Sequence, residues 1–236
     1  MPTVRASTSS EASAAAGSPA RIPLSEPQLS DREWGYLRQC LETGWVSSAG
    51  PFVGRFEQAV AFGVGAAHAV AAVNGTSALH TALQVVGVQP DEEVLVSDLT
   101  FIAPVNAIRY CQAHPVLIDA DADTWQMDVG LLERFLAQET VIRGSACYNA
   151  ASGRRIRAVL PVHLLGLACA MDRIAGLAGR FHLRVVEDAA EAMGVRYQGR
   201  HAGTFGDAGV FSFNGNKIIT SGGGGMLVTD DAALAA

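Results

Sequence analysis

Charge is scarce in this 236-residue chain: Asp, Glu, Lys and Arg make up 17% of it, against 49% hydrophobic residues. That balance excludes wholesale disorder and leaves enough apolar side chain for one large domain. There is no basic run and the formal net charge is −6, so nucleic acid is not an expected partner. Cysteine is sparse and scattered: Cys40, Cys111, Cys147 and Cys169 form no CxxC and no His/Cys pairing at zinc spacing. They read as reduced thiols in a cytoplasmic protein with no bound metal. Residues 1–20 are small and polar, lack the apolar core of a signal peptide and hold little arginine, so they read as a disordered leader before a domain over 21–236. Gln58–Pro90 contains no charged residue, yet His68, Asn74, Thr76, Ser77 and His80 interrupt it, which favours a strand, a turn and a buried helix over a membrane span. A Walker A pattern is missing before Lys217, and Gly63-Val64-Gly65 runs on to His68 where a dinucleotide fingerprint needs its third glycine.

What is present is alternation. Ser30 and Glu33 form a capping box for a helix to Leu41, and Phe52–Phe62 is a second helix. HAVAAVN, EEVLVS, PVLID, RAVLPVH and RVVED are apolar strands, separated by helical stretches at TSALHTALQVVG, Ala103–Cys111, Val129–Ala137 and MDRIAGLAGRFH. Short apolar strands alternating with helices predict an α/β fold, a mostly parallel sheet with helices on both faces. Shorter strands follow at GVRYQGR, GVFSF and GGMLVTD, and Gln138–Arg157 reads as an irregular inserted loop. Its cluster Arg154, Arg155 and Arg157 reads as a solvated face.

Ligands of such sheets gather at the carboxyl ends of the strands. After HAVAAV stand Asn74-Gly75-Thr76-Ser77, where free N–H groups and hydroxyls at a helix start suit a phosphate, or where Thr76 or Ser77 caps the helix. Phe101 follows the next strand, either as core or as a flat wall for a ring. His163 ends RAVLPV, either as a satisfied core histidine or as a site residue. Asp188 and Glu191 follow RVVE, and two carboxylates in an apolar setting call for partners. Asp188 is a helix cap or the group facing a ring nitrogen. In the second case its gross Coulomb term is about 4 kcal/mol at ~4 Å and intermediate dielectric, against about 1 kcal/mol from a helix dipole.

The stretch FSFNGNKIITSGGGGMLVTD holds one lysine, Lys217, with Val210, Phe211, Phe213, Ile218 and Ile219 expected to surround it. Burial makes a neutral amine available for a Schiff base. A phosphate seat, an aromatic wall, a carboxylate for a pyridinium and a desolvated lysine are together the parts of a pyridoxal phosphate site.

In order along the chain, TGWVSSAGPFVGRFE, NGTSALHTAL, DLTFIAPVNAI, PVHLLG, VVEDAAEAMG and FSFNGNKIITSGGGGM resemble the DegT/StrS family of pyridoxal-phosphate-dependent nucleotide-sugar aminotransferases. The resemblance runs from about Ile22 to the last residue. It implies the aspartate aminotransferase-like (type I) fold, with Lys217 as the residue that forms the internal aldimine and carries protons. It also implies Asp188 on the pyridine nitrogen, Phe101 stacked on the ring, Gly75, Thr76 and Ser212 on the phosphate, Glu191 beside the cofactor and His163 near the substrate. Glutamate is the implied amino donor and the acceptor a nucleotide-linked keto-sugar. The FNGNK and GGGG forms look most like the branch that aminates C4 of a UDP-linked 4-keto-6-deoxy-N-acetylhexosamine, as in legionaminic acid and bacillosamine assembly. The family further implies a homodimer and a smaller C-terminal domain, which is expected to lie beyond TDDAALAA. A non-catalytic relative that keeps only cofactor or sugar-nucleotide binding is the alternative.

Overall fold

The apolar runs become the inner strands of one sheet. The computed structural model describes residues 22, 23 and 25–236; the segment read as a leader, 1–20, lies outside them. The chain opens with helices α1 (Asp31–Thr43) and α2 (Pro51–Val64), and continues through β1 (His68–Ala72), α3 (Gly75–Val85), β2 (Glu93–Ser97), α4 (Ala103–Tyr110), β3 (His114–Ile118) and α5 (Val129–Gln138). There follow β4 (Thr140–Arg143), β5 (Ala146–Asn149), β6 (Arg155–Leu160), α6 (Met171–Arg180), β7 (Arg184–Asp188), β8 (Arg196–Tyr197), β9 (Arg200–His201), β10 (Ala208–Ser212), β11 (Gly225–Thr229) and α7 (Ala232–Ala235). The sheet order is β1-β11-β10-β7-β6-β2-β3. Only β11 runs against its neighbours on this path, pairing antiparallel with both β1 and β10.

Side-chain alternation divides the core. Val94 and Val96 of β2 pack with Leu79, Leu83 and Ile108 of α3 and α4 on one face. Leu95 between them packs with Leu132, Leu136 and Ile174 of α5 and α6 on the other. Beside that second layer, α2 lays Val60 and Val64 on Phe211, Met226 and Val228. Helices therefore cover both faces, as the pattern predicts. The uncharged stretch from Gln58 resolves into the end of α2, β1 and α3.

Capping follows the sequence at α1, where the Ser30–Glu33 box is formed and Gly44 (φ 76°) ends the helix. At α3 the cap is neither Thr76 nor Ser77. Asn74 takes that place, its side chain accepting from the Ser77 N–H at 2.8 Å.

One segment differs from expectation. The inserted loop contains a β-hairpin: β4 pairs β5, and β5 adds to the start of β6 beside β7. Its arginines are partly exposed, as a solvated face would be, but they are also paired: Arg154 meets Asp91 at 2.9 Å and Arg157 meets Glu92 at 2.9 Å. These pairs lock the start of β6 to the start of β2, at the sheet end opposite the candidate site described next.

Candidate active site

A cavity of about 310 Å³ opens where β1, β2, β6, β7 and β10 end. Asn74, Gly75 and Thr76 line it from the start of α3, Thr100 and Phe101 from beyond β2, and Val162 and Leu164 from beyond β6. Asp188, Ala190 and Glu191 follow β7, while Ser212, Asn214, Asn216 and Lys217 follow β10. Its volume falls in the range of small-molecule sites.

The α3 side is built by close backbone approach. A Cβ on Gly75 would lie 2.9 Å from the Cβ of Ser212, so only glycine lets the helix start sit against the end of β10. Asn74 takes the Ser77 N–H, and the Ala78 N–H donates to the Asn74 carbonyl at 3.1 Å. The Thr76 N–H meets no acceptor among the described residues. Helix start and Ser212 hydroxyl thus present donors to one corner of the cavity, the arrangement that holds an anion. Ser77 is outside it: the cap engages its N–H and the residue does not line the cavity.

Asp188 is 5% exposed. Its backbone is fixed on both sides, donating to the Pro161 carbonyl at 3.0 Å and accepting from the His163 N–H at 2.9 Å. One carboxylate oxygen accepts from the Ala190 N–H at 3.0 Å; a turn follows, not a helix, so the helix-cap reading of Asp188 falls away. Burial pushes its carboxyl above the usual carboxylate range, while the Ala190 N–H and the charge of Lys217 pull the other way.

Lys217 stands on a turn closed by its own N–H donating to the Asn214 carbonyl at 3.0 Å. The side chain is mostly buried, and Nζ donates to Glu191 Oε1 at 3.3 Å. The second Glu191 oxygen accepts from the Leu165 N–H at 2.9 Å. Val210, Phe211 and Phe213 are buried as expected, but Ile218 and Ile219 are 62% and 53% exposed. The apolar surroundings come from β10 below the lysine and not from the residues after it, because the turn carries those to the rim. Phe101 forms an exposed wall of the cavity. Lys217 is also the only lysine in the sequence, a compositional signal beyond the local pattern.

His163 is displaced from its expected role. It is fully buried between Val162 and Leu164, which face the cavity in its stead. The Cys169 N–H donates to its Nδ1 at 3.1 Å, which leaves the ring proton on Nε2 to donate to Glu187 at 2.9 Å. Glu187 also accepts from the Gly203 and Gly206 N–H groups at 2.8 and 2.7 Å, so this buried carboxylate is satisfied. Of the nine residues singled out, the structure brings Gly75, Thr76, Phe101, Asp188, Glu191, Ser212 and Lys217 around one cavity, and leaves Ser77 and His163 outside it. Asn74, Asn214 and Asn216 join them without having been singled out. Among the described residues no group of three or more metal-binding side chains occurs, and no helix is long and apolar enough to cross a membrane.

Residues 27–236 match the profile of the DegT/DnrJ/EryC1/StrS aminotransferase family. The chain is 44% identical over 216 residues to the GDP-perosamine synthase of Caulobacter vibrioides, covering 92% of this chain and 54% of that protein. It is 41% identical over 213 residues to a Bacillus subtilis protein described as the putative pyridoxal phosphate-dependent aminotransferase EpsN, covering 90% and 52%. Among solved structures, an aminotransferase from Psychrobacter cryohalolentis superposes with a TM-score of 0.78 at 31% identity, over 90% of this chain and 51% of that one. The structure of 3-amino-5-hydroxybenzoic acid synthase does so at 0.77 and 35%, again over 90% and 51%. The chain spans about half the length of the curated relatives it matches.

Proposed function

This chain belongs to the DegT/DnrJ/EryC1/StrS aminotransferase family, and from that premise we propose that it forms the pyridoxal-phosphate-binding part of a nucleotide-sugar aminotransferase. The observation that carries the reading is the placement of Lys217 and Asp188 in one cavity with the anion corner of Gly75, Thr76 and Ser212. The residues fit the cofactor. A glycine cradle that a Cβ would fill stands at the anion corner, and the second Asp188 oxygen has no protein partner among the described residues.

Bound there, pyridoxal phosphate supplies an electron sink that allows an amino group to move between carbon atoms. Gly75, Thr76 and Ser212 hold the phosphate through N–H and hydroxyl donors. Phe101 supplies a flat apolar wall and excludes water from one ring face. Asp188 holds a proton on the ring nitrogen, and its burial makes that pairing strong. Lys217 Nζ is the nucleophile, and Glu191 is placed to take its proton so that the amine attacks in neutral form. Once free of Glu191, the same Nζ carries protons at the reacting carbon.

The amino donor in this proposal is glutamate and the acceptor a keto-sugar on a nucleoside diphosphate. The sequence motifs favour C4 of a UDP-linked 4-keto-6-deoxy-N-acetylhexosamine, whereas the names of several relatives carry GDP, so both nucleotides belong in the substrate panel. The homodimer and the cytoplasmic location belong to the same proposal. Retention of Lys217, Asp188 and Ser212 around one cavity favours catalysis over a binding-only relative, which needs no buried amine.

Borohydride reduction of the cofactor-loaded protein tests the assignment. With one lysine in the sequence, the pyridoxyl label has a single side-chain amine to occupy, and mass spectrometry separates that peptide from the N-terminus. A label on Lys217 that disappears in Lys217→Ala is the expected result. Labelling that persists in the variant overturns the reading.

A further inference from the structure

Gln126 contributes no surface to the cavity, yet it holds the segment that lies against the lysine's partner. Its residue is 5% exposed, between α5 and the strand before it. The side-chain oxygen accepts from the Leu164 N–H at 3.0 Å and the side-chain nitrogen donates to the Leu164 carbonyl at 3.2 Å. The same nitrogen donates to the Thr124 carbonyl at 3.3 Å, and the oxygen also meets the Cys169 thiol at 3.6 Å. Both donors of the amide are engaged, its oxygen accepts from the Leu164 N–H, and the single thiol hydrogen of Cys169 lies nearer the Val162 carbonyl at 3.2 Å; the Leu164 N–H fixes which end of the amide is oxygen. A side chain that only filled volume here would be apolar, since a buried amide is tolerated only when its partners are all present.

What Gln126 holds is a strained turn. Leu165 sits in the left-handed region, at φ 55° and ψ 28°, within the short turn Leu164–Gly166. A leucine persists there only when both sides are held. Gln126 grips the turn through Leu164, and Glu191 accepts from the Leu165 N–H at 2.9 Å. The other Glu191 oxygen is the one that meets Lys217. Gln126 itself is anchored by the preceding turn: Asp121 accepts from Thr124 N–H at 2.8 Å and from Asp123 N–H at 3.1 Å, and its own N–H donates to the Gln126 carbonyl at 2.8 Å.

We propose that Gln126 is a positioning residue for Lys217: by fixing the Leu164–Gly166 turn it sets the orientation of Glu191, and Glu191 aims the amine. The proposal takes Lys217 as the reacting amine, which rests on the reading above. Its test uses no cofactor, so the two fail separately.

Reductive methylation with carbon-13 formaldehyde labels the amines of the protein, and Lys217 is the only side chain among them. Its dimethyl signal therefore reports this one environment. Glu191→Gln gives the position of the signal when the carboxylate is lost. Gln126→Met removes the amide at nearly constant volume, and Gln126→Glu keeps the acceptor while removing the donor. Both are expected to keep the fold by circular dichroism and to move the lysine signal toward its Glu191→Gln position. Gln126→Met added to Glu191→Gln is expected to cause no further displacement, because the two act along one path. An unmoved signal in either folded variant overturns the proposal, as does a displacement that adds independently to that of Glu191→Gln. Loss of fold in both variants also overturns it, since Gln126 is then a core group and not a positioning one.

Discussion

At Asp188 stability and function pull in opposite directions. Its folded-state pKa is raised by burial, so the carboxylate destabilises the cofactor-free chain above the ordinary carboxylate range, and that penalty vanishes as pH falls below it. Asp188→Asn is accordingly expected to raise the melting temperature of the cofactor-free protein at neutral pH and not at strongly acidic pH. With cofactor, the same variant is expected to lose turnover more than cofactor affinity; wild-type single-turnover rates would reduce Asp188 to a turn former. Gly75→Ala drives a methyl into Ser212 and is expected to cost about 1–3 kcal/mol in denaturant unfolding, with Ser212→Gly restoring most of it because the obstructing Cβ is gone. Residues of this kind were legible where a polar group interrupts an apolar run, as at Lys217 and Asp188, or where a residue follows a strand end, as at Phe101. His163 interrupts such a run too, but its partners Glu187 and Cys169 come from elements the local pattern does not bring together. Gln126 gave no signal, since its role depends on a turn 38 positions away.

Among elements, α3 shows how far local rules reach. Its existence followed from the apolar spacing of Leu79, Leu83 and their neighbours, whereas its cap fell two or three residues earlier than expected because asparagine competes with serine and threonine for that place. Asn74→Ala is expected to cost about 1 kcal/mol. Asn74→Asp is expected to keep the cap and the unfolding midpoint, yet to weaken binding of pyridoxal phosphate by setting a carboxylate beside the anion corner. Isothermal titration of both variants separates the two effects, and equal affinities would mean that the α3 start does not hold the phosphate. The β4–β5 hairpin was unreadable for a different reason. Its first strand is one of mostly exposed residues, Thr140–Arg143, and only β5 turns buried side chains inward, so no alternation marks the pair.

At the scale of the whole molecule, the parallel order was legible and its exposed surface was not. α1 buries none of its residues: Trp34, Leu37 and Leu41 are exposed along it, as are Phe101, Ile102, Ile218 and Ile219 around the cavity. Apolar exposure on this scale drives association. This chain by itself is expected to self-associate in a concentration-dependent way in sedimentation, with Trp34→Glu and Leu41→Glu together reducing it. A monomer at all concentrations would show that these faces do not attract one another.

The placement of β11 also governs the order of events during synthesis. Among the described residues β1 has no sheet partner other than β11, and the Ala67 N–H reaches across to Asp230, 163 positions later. Closing so long a loop is slow and waits for the later segment to exist. On the ribosome, β1 therefore emerges early and stays unpaired until almost everything described here has been made. The turn bearing Lys217 lies between β10 and β11, so it closes in that same late step. Lys217, the only lysine side chain of the sequence, is thus expected to settle against Glu191 only after β11 has been made and paired with β1.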